Sequence, residues 1–152
     1  MASVKSIVDL EINVPQEELF KLFADPRNNP KWMHDLDRYE PVSGKEGMPG
    51  SIYRLVPKKG NMIFLATVLD RNPPNDFRLN LEASVADVAI AANLTALSPT
   101  KTRLISEEVF TLKGFLNGLL GPLFARNAMK TAHRNHMMDL KRFAEESIVK
   151  TL

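Results

Sequence analysis

The stretch that decides the fold runs from Gly114 to Ile148 and reads GFLNGLLGPLFARNAMKTAHRNHMMDLKRFAEESI. From Phe124 onward, apolar residues recur three and four positions apart, which is the spacing of one face of an α-helix. That stripe comprises Phe124, Ala125, Ala128, Met129, Ala132, His133, His136, Met137, Leu140, Phe143, Ala144 and Ile148. At ~1.5 Å per residue, a helix from Pro122 to Ile148 would be about 40 Å long. A helix of this kind needs another layer to cover its apolar face.

The composition is that of an ordinary globular protein, with 44% hydrophobic and 25% charged residues among 152. A net charge of +2 provides no strong field that would favour nucleic acid. Cysteine is absent, which excludes disulfides, thiol nucleophiles and cysteine-ligated metals. The N-terminus has no apolar signal-peptide core, and no run of about 18 apolar residues could span a membrane. We therefore expect a cytoplasmic protein with one domain over residues 1–152.

The chain before the long helix has the pattern of an antiparallel sheet. Residues 4–12 alternate between apolar and polar, as a half-buried strand does. Pro15 then favours a short helix, and Asn29 with Pro30 favours a second one that carries Trp32. Six further short strands are expected at 36–42, 51–56, 62–71, 76–84, 87–97 and 101–112. Because their connections are short, neighbouring strands should pair antiparallel, giving an α+β fold in which a curved sheet wraps around the terminal helix.

Several motifs add a family resemblance to this pattern. They are INVPQEELFKLFADP at 12–26, NPKW at 29–32, GMPGS at 47–51, VLDRNPP at 68–74 and TRL at 102–104. Together they resemble the START-like or SRPBCC superfamily, within it the polyketide cyclase/dehydrase-like group, although Lys101 stands where that group usually has glycine. The resemblance implies a helix-grip fold: seven strands curled around the C-terminal helix, two short helices after the first strand, and a hydrophobic cavity between sheet and helix. Members bind lipids, sterols, polyketides or plant hormones, and some are cyclases or co-chaperone activators, so the fold alone selects no function.

The candidates for lining such a cavity are drawn from the helices and several strands. They are Trp32, Tyr53, Phe64, Asn93, Thr95, Glu108, Phe110, Met129, His136 and Met137. Residues 87–97 are rich in alanine, whose small side chains would leave space, with Asn93 and Thr95 as polar anchors. One alternative is that this strand only lets the helix approach closely. Another is that residues 83–97 form a helix, because alanine is a weak strand former. The aromatic and methionine candidates could equally be plain core.

Two features could carry chemistry. If Leu104 and Phe110 face inward, Glu108 enters the cavity, where burial would raise its pKa and suit it to acid–base work. The alternatives are a bulge in the strand or a pairing with a helix arginine. His133 and His136 lie three residues apart, but no third ligand stands at motif spacing, so we predict neither a metal nor another cofactor. We expect His133 near the edge of the stripe and His136 half-buried, as a ligand anchor or base.

The segment 115–124 is too apolar for an exposed loop and contains Gly118 and Gly121, with Gly114 directly before it. It suggests a portal formed by Phe115, Leu119 and Leu120, or a membrane-docking edge that makes transient contact. The alternative is that the helix begins early, kinks at Pro122 and packs under the short helices.

Three functions follow as hypotheses. The first is binding of a small hydrophobic molecule, such as a lipid or polyketide-like metabolite. The second is a cyclase/dehydratase-type enzyme acting in the same cavity through Glu108 or His136. The third, a protein-interaction module, would require a fully packed interior. No nucleic-acid partner is expected, and the sequence does not determine the oligomeric state.

Overall fold

The computed structural model describes residues 3–114 and 122–151, and the side chains of 122–125 and 151 lie outside this description. Its elements follow the predicted order of one strand, two short helices, six strands and a long helix. They are β1 (Ser3–Ile12), α1 (Gln16–Ala24), a 3₁₀ turn (Pro26–Asn28), α2 (Asn29–Trp32), β2 (Leu36–Ser43), β3 (Ile52–Pro57), β4 (Phe64–Asn72), β5 (Asp76–Glu82), β6 (Ala86–Ser98), β7 (Lys101–Leu112) and α3 (Pro122–Thr151). The predicted fold class is confirmed.

The seven strands form one antiparallel sheet in the order β1-β7-β6-β5-β4-β3-β2. Strands β2 to β7 make a meander, and β1 pairs with β7 to complete the sheet. Register shifts interrupt the pairing of β2 with β3, of β4 with β5 and of β6 with β7. Such irregularities bend strands and increase twist, which suits a sheet curved around a helix.

The boundary between β5 and β6, where the sequence lacks turn chemistry, is a tight turn. The Ala83 amide donates to the Ala86 carbonyl at 2.9 Å, and β6 then runs extended to Ser98. A helix over residues 83–97, which the alanine content left open, is therefore wrong. Pairing with β5 and β7 on both sides outweighs the weak strand preference of alanine.

Helix α3 lies against the inner face of the sheet through a narrow stripe. His133, Met137, Leu140 and Ala144 are buried at spacings of four, three and four residues. Ala128 and Ala132 are exposed, although the sequence placed both in the stripe. The closely packed part of the helix thus begins at His133, because an open space lies beside Ala132.

Aromatic packing between the short helices and the sheet closes one end of this space. The Phe23 ring stacks on Trp32 with centroids 6.3 Å apart and meets the edge of Phe77 at 5.9 Å. Aromatic pairs in these geometries add to the stability given by burial alone. The inner side of β5 is thereby tied to α1 and α2, and a cavity lies beyond them.

Candidate ligand-binding cavity

A cavity of about 180 Å³ lies between the inner face of the sheet and helix α3. Most of its wall is apolar, and β3 to β7, α1, α2 and α3 all contribute to it. The lining residues are Phe23, Ala24, Pro26, Asn29, Trp32, Met33, Asp35, Leu36, Tyr53, Leu55, Pro57, Met62, Phe64, Phe77, Leu79, Leu81, Val88, Ile90, Glu108, Phe110, Ala132, His133, His136 and Met137. An apolar concave space with a few polar groups has the usual make-up of a small-molecule site.

The cavity brings together seven of the ten residues that the sequence proposed for its wall. They are Trp32, Tyr53, Phe64, Glu108, Phe110, His136 and Met137. Their position is a structural fact, whereas their contact with a ligand stays a prediction.

Asn93 and Thr95 do not line the cavity, so the expectation that they are its polar anchors is corrected. Both are exposed on the outer face of β6, where the Asn93 amide donates to Asp76 Oδ1 at 2.8 Å and the Thr95 hydroxyl donates to Asn93 Oδ1 at 3.2 Å. Side chains alternate along a strand, and in β6 the inner face belongs to Val88 and Ile90.

Met129 also lies outside the cavity wall. It packs instead against a small separate cluster formed by Ala86 and Leu112. It sits one helical turn before His133, beyond the part of α3 that covers the cavity. The predicted portal residues Phe115, Leu119 and Leu120 fall outside the described residues.

The cavity opens to solvent between the start of β2, the β3–β4 loop and helix α3. Met62 and the side chain of Asp35, both part of the wall, are 46% and 72% exposed. The half-buried His136 faces Asp35 across this mouth, with Nε2 lying 3.4 Å from Oδ1. His136 therefore stands at the entrance of the cavity.

The deepest polar feature is a cluster around His133, which is completely buried. His133 Nδ1 lies 2.8 Å from Ser6 Oγ, and His133 Nε2 lies 2.9 Å from Ser106 Oγ. The same Nε2 is 3.4 Å from Glu108 Oε2. The sequence placed His133 near the edge of the helix stripe, and this prediction is wrong. His133 lies at the centre of the stripe, where the hydroxyls of Ser6 and Ser106 contact its ring nitrogens and the Glu108 carboxyl lies beside Nε2.

Strand geometry explains why these groups meet. Ser6 pairs with Glu108, and Ser106 pairs with Val8, in the register of β1 with β7. On each strand these residues share the inward face, so the two serines are diagonal neighbours beneath the helix. The pairing of β6 with β7 is continuous through Glu108, so no bulge redirects its side chain. Among the described residues, the side chain of helix α3 that pairs with Glu108 is His133, not an arginine.

Burial controls protonation in this cluster. Loss of solvation raises the pKa of Glu108 to about 7, because the charged carboxylate is disfavoured. Burial, with a smaller contribution from the charge of His136, lowers the pKa of His133 to about 4. At a pH between these two pKa values, Glu108 is a neutral carboxylic acid and His133 is a neutral imidazole. Glu108 can therefore donate a hydrogen bond and also exchange a proton close to neutral pH.

A second polar group lies in the wall formed by β3 and α2. Burial raises the pKa of Tyr53 to about 12, and a hydrogen bond with the Asn29 side chain partly offsets that rise. Tyr53 is therefore a neutral hydroxyl at physiological pH. The indole N–H of Trp32 is buried too, and it has no acceptor among the described residues.

Among residues 3–114 and 122–151, no three histidine, aspartate or glutamate side chains are arranged to hold a metal ion. Within the same part of the chain, no helix combines the length and apolar character needed to cross a bilayer.

Sequence comparison matches residues 2–145 to the family described as polyketide cyclase/dehydrase and lipid transport. A comparison with curated proteins finds no match.

Similar solved structures support the same architecture. An aromatase/cyclase, Zhui, from Streptomyces sp. R1128 is 16% identical, with 99% of this chain and 97% of that chain covered and a TM-score of 0.77. A START superfamily protein from Mycobacterium smegmatis is 14% identical, with coverages of 97% and 99% and a TM-score of 0.75. A conserved protein from Geobacillus kaustophilus is 16% identical, with coverages of 95% and 97% and a TM-score of 0.74. At these identities the likeness establishes the fold.

Proposed function

The chain belongs to the polyketide cyclase/dehydrase and lipid transport family, and on this premise we propose that it binds a small apolar molecule between the sheet and helix α3. The observation that carries the proposal is the unfilled cavity, whose apolar wall holds a buried carboxyl–imidazole cluster. Native interiors are packed with few voids larger than a water molecule. A space of this size under the principal helix therefore supports a binding role.

The cavity size limits the ligand. An apolar cavity of about 150 Å³ in another protein accommodates benzene, whereas sites for drug-sized ligands are about 300–1,000 Å³. The observed volume of about 180 Å³ therefore suits a single ring or one segment of a longer molecule. A longer ligand would extend through the mouth beside Met62 and Asp35.

Native mass spectrometry before and after organic extraction tests the proposal. We expect a bound apolar compound that extraction removes, or uptake of a single-ring compound when none is carried through purification. The matched control is Val88→Phe, which adds a ring to the cavity wall and should reduce occupancy. Identical masses before and after extraction, together with no uptake of an added apolar compound, would count against binding.

Catalysis of the cyclase/dehydratase type is the second candidate, and the proximity of Glu108 to His133 favours it. As a carboxylate, Glu108 could take a proton from the carbon next to a ligand carbonyl and return it, while Ser6 and Ser106 hold the imidazole in place. His136 lies at the mouth, so we assign the acid–base role to Glu108.

Hydrogen–deuterium exchange tests this second candidate without a natural substrate. In deuterated buffer the protein should accelerate exchange of the methyl protons of acetophenone, and Glu108→Gln should abolish the acceleration. Equal exchange with the wild type, with Glu108→Gln and without protein would remove the catalytic candidate but leave binding intact.

An interaction module would need a fully packed interior, which the cavity does not favour. For location we propose the cytoplasm, supported by the absence of cysteine from all 152 residues. Cell fractionation tests the location, and recovery in another compartment would contradict it.

A further inference from the structure

Apart from its two histidines, the ionisable groups in the cavity wall are acidic. Of the described residues that line it, none is lysine or arginine, while Asp35 stands at the mouth and Glu108 deep inside. The nearest cations along α3, such as Lys130 and Arg134, are exposed and do not belong to the wall. A negative charge on a ligand would meet no lysine or arginine there, and His136 at the mouth already faces Asp35 at 3.4 Å. The charge would also pass one carboxyl to approach another. Burying an unpaired charge is strongly unfavourable.

The Glu108 carboxyl is the polar group deep in the cavity that a ligand could use. Both ring nitrogens of His133 are already engaged by Ser6 and Ser106. The carboxyl of Glu108 lies 3.4 Å from the His133 imidazole, and among the described residues no lysine or arginine pairs with it. Without a full cationic partner this carboxyl favours its protonated form, which carries an O–H donor. A ligand that offers an acceptor oxygen would complement it.

A positively charged ligand is also poorly matched. Binding an ammonium group would require Glu108 to ionise in an apolar enclosure while the ligand lost its own hydration. A buried ion pair repays this double desolvation only when further hydrogen bonds surround it. Apart from His133, whose ring nitrogens are engaged by Ser6 and Ser106, the wall near Glu108 is formed by apolar neighbours such as Ile90 and Phe110, which provide none.

We propose that the cavity selects neutral molecules with a ring-sized apolar body and one hydrogen-bond-accepting oxygen, as in a ketone, and excludes carboxylates and amines of the same size. This inference rests on the proposed binding function and gives it a ligand class. Glu108 is then the residue that determines specificity, through the hydrogen bond it donates.

Four single-ring probes test the inference: toluene, acetophenone, benzoate and benzylamine, titrated into the protein and followed by NMR. At about pH 6, where Glu108 holds its proton, acetophenone should bind at least about tenfold more tightly than benzoate or benzylamine. In Glu108→Gln the amide N–H replaces the acid O–H, so acetophenone affinity should be kept within about threefold. Raising the pH to about 8 should weaken acetophenone binding to the wild type and leave that of Glu108→Gln unchanged.

Glu107→Gln is the matched control. Glu107 lies next to Glu108 but on the outer face, where it pairs with Lys5 at 3.3 Å, so its removal should not alter probe selectivity. If benzoate or benzylamine binds within about threefold of acetophenone while toluene also binds, the inference on ligand class is overturned and the binding function stands. If all four probes fail to bind, including toluene, the binding function itself fails.

Discussion

Replacing Glu108 by glutamine should stabilise the folded protein at neutral and alkaline pH but not in acid. In the unfolded chain the carboxyl ionises freely around its ordinary pKa of 4.5, whereas burial raises the pKa in the folded state to about 7. The folded state therefore holds a proton that the unfolded state has lost, and the stability associated with it declines as pH rises from 4.5 to about 7. Glutamine is neutral throughout and avoids this loss.

The magnitude follows from the same two pKa values. At ~1.36 kcal/mol per pKa unit, the rise from 4.5 to about 7 corresponds to about 3 kcal/mol of unfolding free energy. This full difference in unfolding free energy applies at a pH above the folded-state pKa, and it vanishes below pH 4.5. His133 titrates over an overlapping pH range, and its effect on the unfolding free energy has the opposite sign. Its pKa is lowered from 6.5 to about 4, so its contribution is lost as pH falls. Because both proteins contain His133, comparing them at each pH isolates Glu108.

Urea unfolding of the wild type, Glu108→Gln and Glu107→Gln at about pH 4.5, 6 and 8 measures the effect. The gain in Glu108→Gln should grow with pH to about 3 kcal/mol, whereas Glu107→Gln, at a half-buried residue on the outer face, should stay within about 0.5 kcal/mol of the wild type at every pH. A gain that does not change with pH, or the same pH trend in both variants, would refute the argument that Glu108 is protonated by burial.

Three further predictions concern the cavity and the packing of α3. Replacing His133 by leucine leaves two buried serine hydroxyls without their partner and should lower the unfolding free energy by about 2–4 kcal/mol, measured in urea; an unchanged value would show that the cluster is not formed. Leu140→Ala removes a completely buried side chain and should cost about 2–5 kcal/mol, while Val149→Ala, at a residue 68% exposed, should cost less than about 0.5 kcal/mol in the same assay. Similar losses in these two variants would contradict the observed packing of the helix. Val88→Phe should weaken toluene binding at least about tenfold in an NMR titration, with a stability change of about 1–3 kcal/mol; undiminished binding would place the ligand elsewhere.

The fold could be predicted from sequence because its determinants are local. The alternation along β1, the proline at the start of α1 and the turn residues between strands each act over a few residues. Short connections then require neighbouring strands to pair, so the meander follows without knowledge of long-range contacts. The junction near Val85 lacks turn chemistry, and there the sequence left a helix open as an alternative.

The candidate site was harder to predict from sequence than the fold, because it depends on contacts between residues that are far apart in the chain. His133 finds its partner in Ser6, 127 positions away, and the helix pattern alone cannot show that a polar stripe position meets polar groups on the sheet. A signal was present in Ser6, Ser106 and Glu108, which interrupt the apolar inner faces of two strands. Asn93 was misplaced because its polar character was given more weight than the alternation of β6.

Anomalous diffraction from a crystal soaked with 4-bromoacetophenone would show whether the cavity binds a ligand, because bromine locates the ligand without assumptions about its pose. We expect one strong bromine peak between helix α3 and the inner face of β5 to β7, with the carbonyl oxygen within hydrogen-bonding distance of Glu108. Val88→Phe crystals treated identically should show a weaker peak. Bromine found only on the outer surface, or an empty cavity at saturating probe, would contradict the claim that this space is a binding site.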